Sequence, residues 1–89
     1  MRTRANRLIE QIRNAQEMGE EIIATSGLKS DDIIYCFATS KVLVINCQNY
    51  PAIWRFEDGY VELRKAIARL KSSIDTILLE LGGNIYYEF

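Results

Sequence analysis

The sequence predicts an α+β domain in which a small antiparallel sheet, in the element order α-β-β-β-α-β, is packed by two amphipathic helices. Three observations carry this expectation. The opening segment repeats apolar residues at helical spacing, the middle holds short runs of β-branched and aromatic residues, and Gly, Pro and Asn mark the breaks between them. With 89 residues, 48% of them apolar, the chain has material for one packed core and no room for a second domain.

From Ala5 to Ser26 the residues Ala5, Leu8, Ile9, Ile12, Ala15, Ile22 and Ile23 recur with the period of an amphipathic helix, and Gly27 supplies its left-handed stop. Ile33 to Thr39 and Val42 to Cys47 are strand-like and separated by Ser40-Lys41, so they predict a hairpin. Both carry apolar residues on both faces, which predicts helices on one side of the sheet and a partner chain over part of the other. Asn49-Tyr50-Pro51 signals a turn, and the alternation of Ala52, Trp54 and Phe56 with Ile53, Arg55 and Glu57 predicts a third strand. Asp58 can cap a second helix, in which Leu63, Ile67, Leu70, Ile74, Ile77 and Leu81 form a heptad seam of alternating fours and threes. Gly82-Gly83 would end that helix. A last strand, Asn84 to Phe89, would set Ile85, Tyr87 and Phe89 against Tyr86 and Glu88. The expected core draws on Leu8, Ile12, Ile22, Ile33, Tyr35, Phe37, Leu43, Ile45, Trp54, Phe56, Ile67, Leu70, Ile74 and Ile77.

Composition narrows the function. Eleven basic residues against 12 acidic ones give a formal charge of −1, too little positive charge for a general nucleic-acid coat. Histidine is absent, which removes the commonest general base and metal ligand. Cys36 and Cys47 lie inside apolar runs and not at metal-ligand spacing, so they read as buried structural thiols in a reducing, cytoplasmic setting. The adjacent pairs Asp31-Asp32 and Glu20-Glu21 diverge in direction and do not form a clamp. No phosphate loop is present, and the longest apolar runs fall far short of the roughly 20 residues of a membrane span. No catalytic, cofactor or metal site is expected, nor export, since no apolar segment follows the opening Met-Arg-Thr-Arg.

The candidates that remain suit binding. Tyr50 at its turn, Tyr86 on the face opposite Ile85 and Tyr87, and Arg55 among the aromatics could meet a partner or stack on a planar or anionic ligand. Along the first helix Arg4 and Arg7 occupy the positive end of the dipole and Glu20 and Glu21 the negative end, an unfavourable placement for a lone helix. An antiparallel second copy, with its two-fold axis near Ile12 and Arg13, would bring Arg4 and Arg7 near Glu21 and Glu17. The expectation is a small non-enzymatic binding or inhibitory protein, a homo-oligomer that sequesters or blocks a protein partner or a small anionic ligand. The alternative is a nucleic-acid-binding regulator using Arg2, Arg4, Arg7 and Arg13. A small enzyme using Asp31, Asp32 or Cys47 ranks below both.

Overall fold

A computed structural model describes residues 4–89, and side chains from Asn6 onward. The elements run α1 (Arg4–Ser26), β1 (Ile33–Ala38), β2 (Val42–Cys47), α2 (Tyr50–Asp58), α3 (Tyr60–Arg69), β3 (Thr76–Leu81) and β4 (Asn84–Glu88). The strands form one sheet in the order β1-β2-β3-β4. β1 with β2 and β3 with β4 are antiparallel hairpins, and β2 runs parallel to β3 in the middle. A parallel neighbour requires a crossover connection, here supplied by α2 and α3. The fold class is therefore α+β, with helices packed on a mostly antiparallel sheet.

Three elements differ from the sequence expectation. The expected third strand is helix α2: the Asn49 side chain accepts a hydrogen bond from the Ala52 N–H at 3.1 Å, and Pro51 occupies the first turn, where its missing N–H costs nothing. Ala52, Ile53 and Phe56 then fall on one helical face and are buried, whereas Trp54 is 53% exposed. The expected long second helix stops early, because Lys71 takes a left-handed φ of 56° just past Leu70. The chain then enters strand β3, in which Ile77, Leu79 and Leu81 alternate with Thr76, Leu78 and Glu80. Gly82-Gly83 is not a helix stop. With φ of 58° and 90° it makes the two-residue turn between β3 and β4, a conformation that glycine adopts without a Cβ penalty.

The core lies between the inner face of the sheet and the three helices. Leu43, Ile45 and Cys47 of β2 and Ile77 and Leu79 of β3 meet Ile22 and Ile23 of α1, Ile53 and Phe56 of α2, and Leu63 and Ile67 of α3. Five expected core residues lie outside it: Leu8, Ile12, Tyr35 and Trp54 are exposed, and Phe37 is half-buried on the outer face of the sheet. α1 crosses the edge strand β1 at Gly19, where a Cβ would stand 2.9 Å from the Phe37 Cα.

On the outer face the central strand is covered by its neighbours. Tyr35 is paired with Asn46, and Asn46 with Glu80, so the 2.6 Å hydrogen bond from the Tyr35 hydroxyl to Glu80 Oε1 passes over β2. That bond, with the carboxylate beside it, raises the Tyr35 pKa. Asn46 is 3% exposed and its Oδ1 accepts from the Gly83 N–H at 2.8 Å, which ties the β3–β4 turn to β2. Val44 is likewise buried between Phe37 and Leu78, its register partners, so two outward side chains of β2, Val44 and Asn46, are covered within one chain, and Val42 is half-buried.

Candidate interaction surfaces

α1 is longer than the strand it packs on. Its 23 residues span about 35 Å at 1.5 Å per residue, against about 20 Å for the six residues of β1. Gly19, Ile22 and Ile23 are buried on the body, whereas Leu8 and Ile12, on the same face of the helix, are 58% and 52% exposed. The apolar stripe thus continues along an arm that leaves the core. Between this arm and the end of β1 runs a groove of about 350 Å³, lined by Leu8, Gln11, Ile12, Ala15, Gln16, Phe37 and Thr39.

Arg7, Arg13, Glu17 and Glu21 are all exposed, and helical geometry sets them on the side of α1 away from the stripe. Arg4 opens the helix, and its side chain lies outside the described ones. Contact between two stripes would leave these charges on the outer surfaces of a helix pair, so they would act through the field of each helix half more than as close ion pairs.

A second surface follows the edge strand β4. Tyr50 and Trp54 lie one turn apart on α2 and stack with ring centroids 6.1 Å apart, and Tyr86 meets Tyr50 edge-on at 5.8 Å. The expectation that Tyr86 opposes Tyr87 across the sheet is overturned by a β-bulge. Leu79 pairs with Tyr87 and Glu80 with Ile85, so Tyr86 is the extra residue and turns toward the helices. Farther along, Tyr60 at the start of α3 meets Phe89 edge-on at 5.7 Å, and Tyr87 meets Phe89 at 5.3 Å. Of the expected binding residues, the fold brings Tyr50 and Tyr86 together and leaves the α1 charges on a separate element. Trp54, expected in the core, joins the surface together with Tyr60, Tyr87 and Phe89. The spacing of Tyr50 and Trp54 is the available signal, and it carries meaning only once α2 is a helix.

Arg55 is committed elsewhere. Its Nη1 donates to the carbonyls of Lys29 at 3.1 Å and Asp31 at 2.8 Å, which fastens α2 to the loop between α1 and β1, and its guanidinium lies 5.9 Å from the Phe56 ring centroid. Arg55→Ala is expected to lower stability by about 1 kcal/mol, two charged hydrogen bonds discounted for solvent exposure. Chemical denaturation measures it. A variant as stable as the wild type would show that the loop holds without this tie.

The residues of the enzymatic alternative differ in burial. Cys36 and Cys47 are buried, and burial pushes both thiols up to about 11, away from the thiolate form a nucleophile needs. Asp31 and Asp32 are exposed at the turn into β1, where the Asp32 carbonyl accepts from the Gln48 N–H at 2.8 Å. Among the described residues no group of three or more His, Cys, Asp and Glu could hold a metal ion, and no helix is long and apolar enough to cross a membrane. No protein family, curated protein or solved structure matches the chain.

Proposed function

We propose that this chain is a small non-enzymatic interaction protein that works as a homo-oligomer, with the α1 arm as its self-association element. The observation that carries this is the exposed stripe of Leu8, Ile9 and Ile12, which continues the buried stripe of the same helix and borders an apolar groove at Phe37. A second copy suits the arm because the stripe is short and self-complementary, so a two-fold axis buries the same residues from both chains. Charge agrees with the antiparallel sense. The first half of α1 carries Arg4, Arg7 and Arg13 against Glu10, and the second half carries Glu17, Glu20 and Glu21, so opposed halves attract, as do the opposed helix dipoles. Two free, buried cysteines suit a reducing compartment, and we place the protein in the cytoplasm on that ground. With Arg55 tied to backbone carbonyls, the blocking of a protein partner is favoured over capture of a small anion.

Sedimentation of the wild type and of the Leu8→Glu, Ile12→Glu double variant tests this. The wild type should dimerise with rising concentration, and the variant should lose at least about 100-fold in association because carboxylates would have to be buried at the contact. Its melting as a monomer should be little changed, since both side chains are exposed within one chain. A wild type that stays monomeric at every concentration, or a variant that assembles as the wild type does, would overturn the proposal.

A further inference from the structure

We infer that the pocket where the α2–α3 junction faces the end of β4 is a binding site for an alkylated ammonium ion. The pocket is lined by Tyr60, Tyr87, Phe89 and Glu57, with a volume of about 350 Å³. Its three rings are mutually inclined, Tyr60 at 76° and Tyr87 at 51° to Phe89, so Phe89 joins two walls that do not lie in one plane. Phe89 is the fixed member. Its backbone exchanges hydrogen bonds with Ile77 at 2.6 and 2.9 Å, and its side chain packs against the core. Tyr60 and Tyr87 are exposed on their outer sides, so the pocket is reached from solvent.

Glu57 sets the ligand's charge. It lines the same pocket as the three rings, and among the described residues no cation pairs with it. Arg64, one turn beyond Tyr60, donates to the Asp75 carbonyl at 2.9 Å and is not part of the lining. Aromatic faces present negative potential, and a carboxylate adds a full charge, so an anion is repelled and a neutral apolar ligand leaves the carboxylate uncompensated. An ammonium ion bearing methyl or methylene groups satisfies both features. Its charge meets the ring faces and Glu57, and its carbon atoms displace water from the rings at little desolvation cost. Such a group can come from a free quaternary amine or from a methylated lysine side chain of another protein.

The full chain, with labelled tyrosine and phenylalanine rings, can be titrated with choline, with its neutral isostere in which carbon replaces the quaternary nitrogen, and with a short peptide carrying trimethyl-lysine. Choline should shift the ring resonances of Tyr60, Tyr87 and Phe89, and its methyl protons should move upfield. The isostere should bind at least roughly tenfold more weakly. Glu57→Gln should weaken choline by a similar factor while leaving the isostere unchanged, a difference that loss of folding would not give. A peptide that binds more tightly than choline assigns the site to a protein-borne lysine, and choline binding as tightly as the peptide assigns it to a free amine. Either supports the inference. Equal binding of choline and its isostere, or no ring shifts with any of the three, would overturn it.

Discussion

Replacing Gly19 with alanine should destabilise the domain by about 2 kcal/mol, although alanine is the better helix former by about 1 kcal/mol. The reason is contact with main chain. A Cβ at this position stands 2.9 Å from the Phe37 Cα, 3.0 Å from its N and 3.1 Å from the Cys36 carbonyl carbon. None of these atoms can rotate aside, so α1 must lift from β1 and loosen the packing of Ile22 and Ile23 behind it. Denaturant titration of Gly19→Ala and Gly19→Val should show a graded loss, with valine leaving little folded protein. An alanine variant as stable as the wild type would mean that α1 does not cross β1 at this distance. Since the α1 arm is held by the same crossing, loss of this contact should also weaken the self-association proposed for that arm.

Leu79→Asp carries the largest expected effect. Leu79 is fully buried on the inner face of β3, and a carboxylate there costs on the order of 4 kcal/mol or more, comparable with the whole stability of a small domain. The variant should be unfolded by circular dichroism at room temperature. Leu78→Asp, on the half-buried outer face one residue earlier, should remain folded with a reduced melting temperature. The pair separates the strand from the helix that the heptad pattern suggests, because Leu79 falls off the seam of Leu63, Ile67, Leu70, Ile74, Ile77 and Leu81. Cooperative melting of Leu79→Asp near the wild-type temperature would argue for the helical seam.

Much of the framework is legible in the sequence because local signals agree. α1 shows a single helical period, the β1–β2 hairpin is marked by two β-branched and aromatic runs about a short turn, and Gly27 at φ 77° closes α1 as its position in the sequence suggests. β3 is ambiguous because Ile74, Ile77 and Leu81 satisfy a helical repeat while Ile77, Leu79 and Leu81 satisfy a strand repeat, and only the backbone at Lys71 decides between them. α2 mimics a strand because Ala52, Trp54 and Phe56 alternate, whereas Ala52, Ile53 and Phe56 make the buried helical face. The surfaces are less legible still. Tyr50 and Tyr86 stand out in the sequence, yet their contact depends on a bulge between Leu79 and Glu80 that no short-range pattern marks. The partners of Tyr60 lie 27 and 29 residues away in sequence, at Tyr87 and Phe89, and so depend on the sheet register. Arg55 resembles a ligand contact in sequence because its carbonyl acceptors, 24 and 26 residues distant, cannot be seen from its neighbours.

The parallel pairing of β2 with β3 has a kinetic consequence. Each hairpin closes over a short turn and can form within microseconds, but neither can bury its inner face alone. Joining them requires the chain from Gln48 to Asp75 to be gathered into α2 and α3 before the central ladder repays the entropy of closing so long a loop. The domain is therefore two quickly made local pieces and one slow junction. Substitutions in the two turns, and in α2 and α3, act on what must form before that junction closes and so slow folding, whereas those that remove only contacts of the finished β2–β3 ladder mainly speed its coming apart.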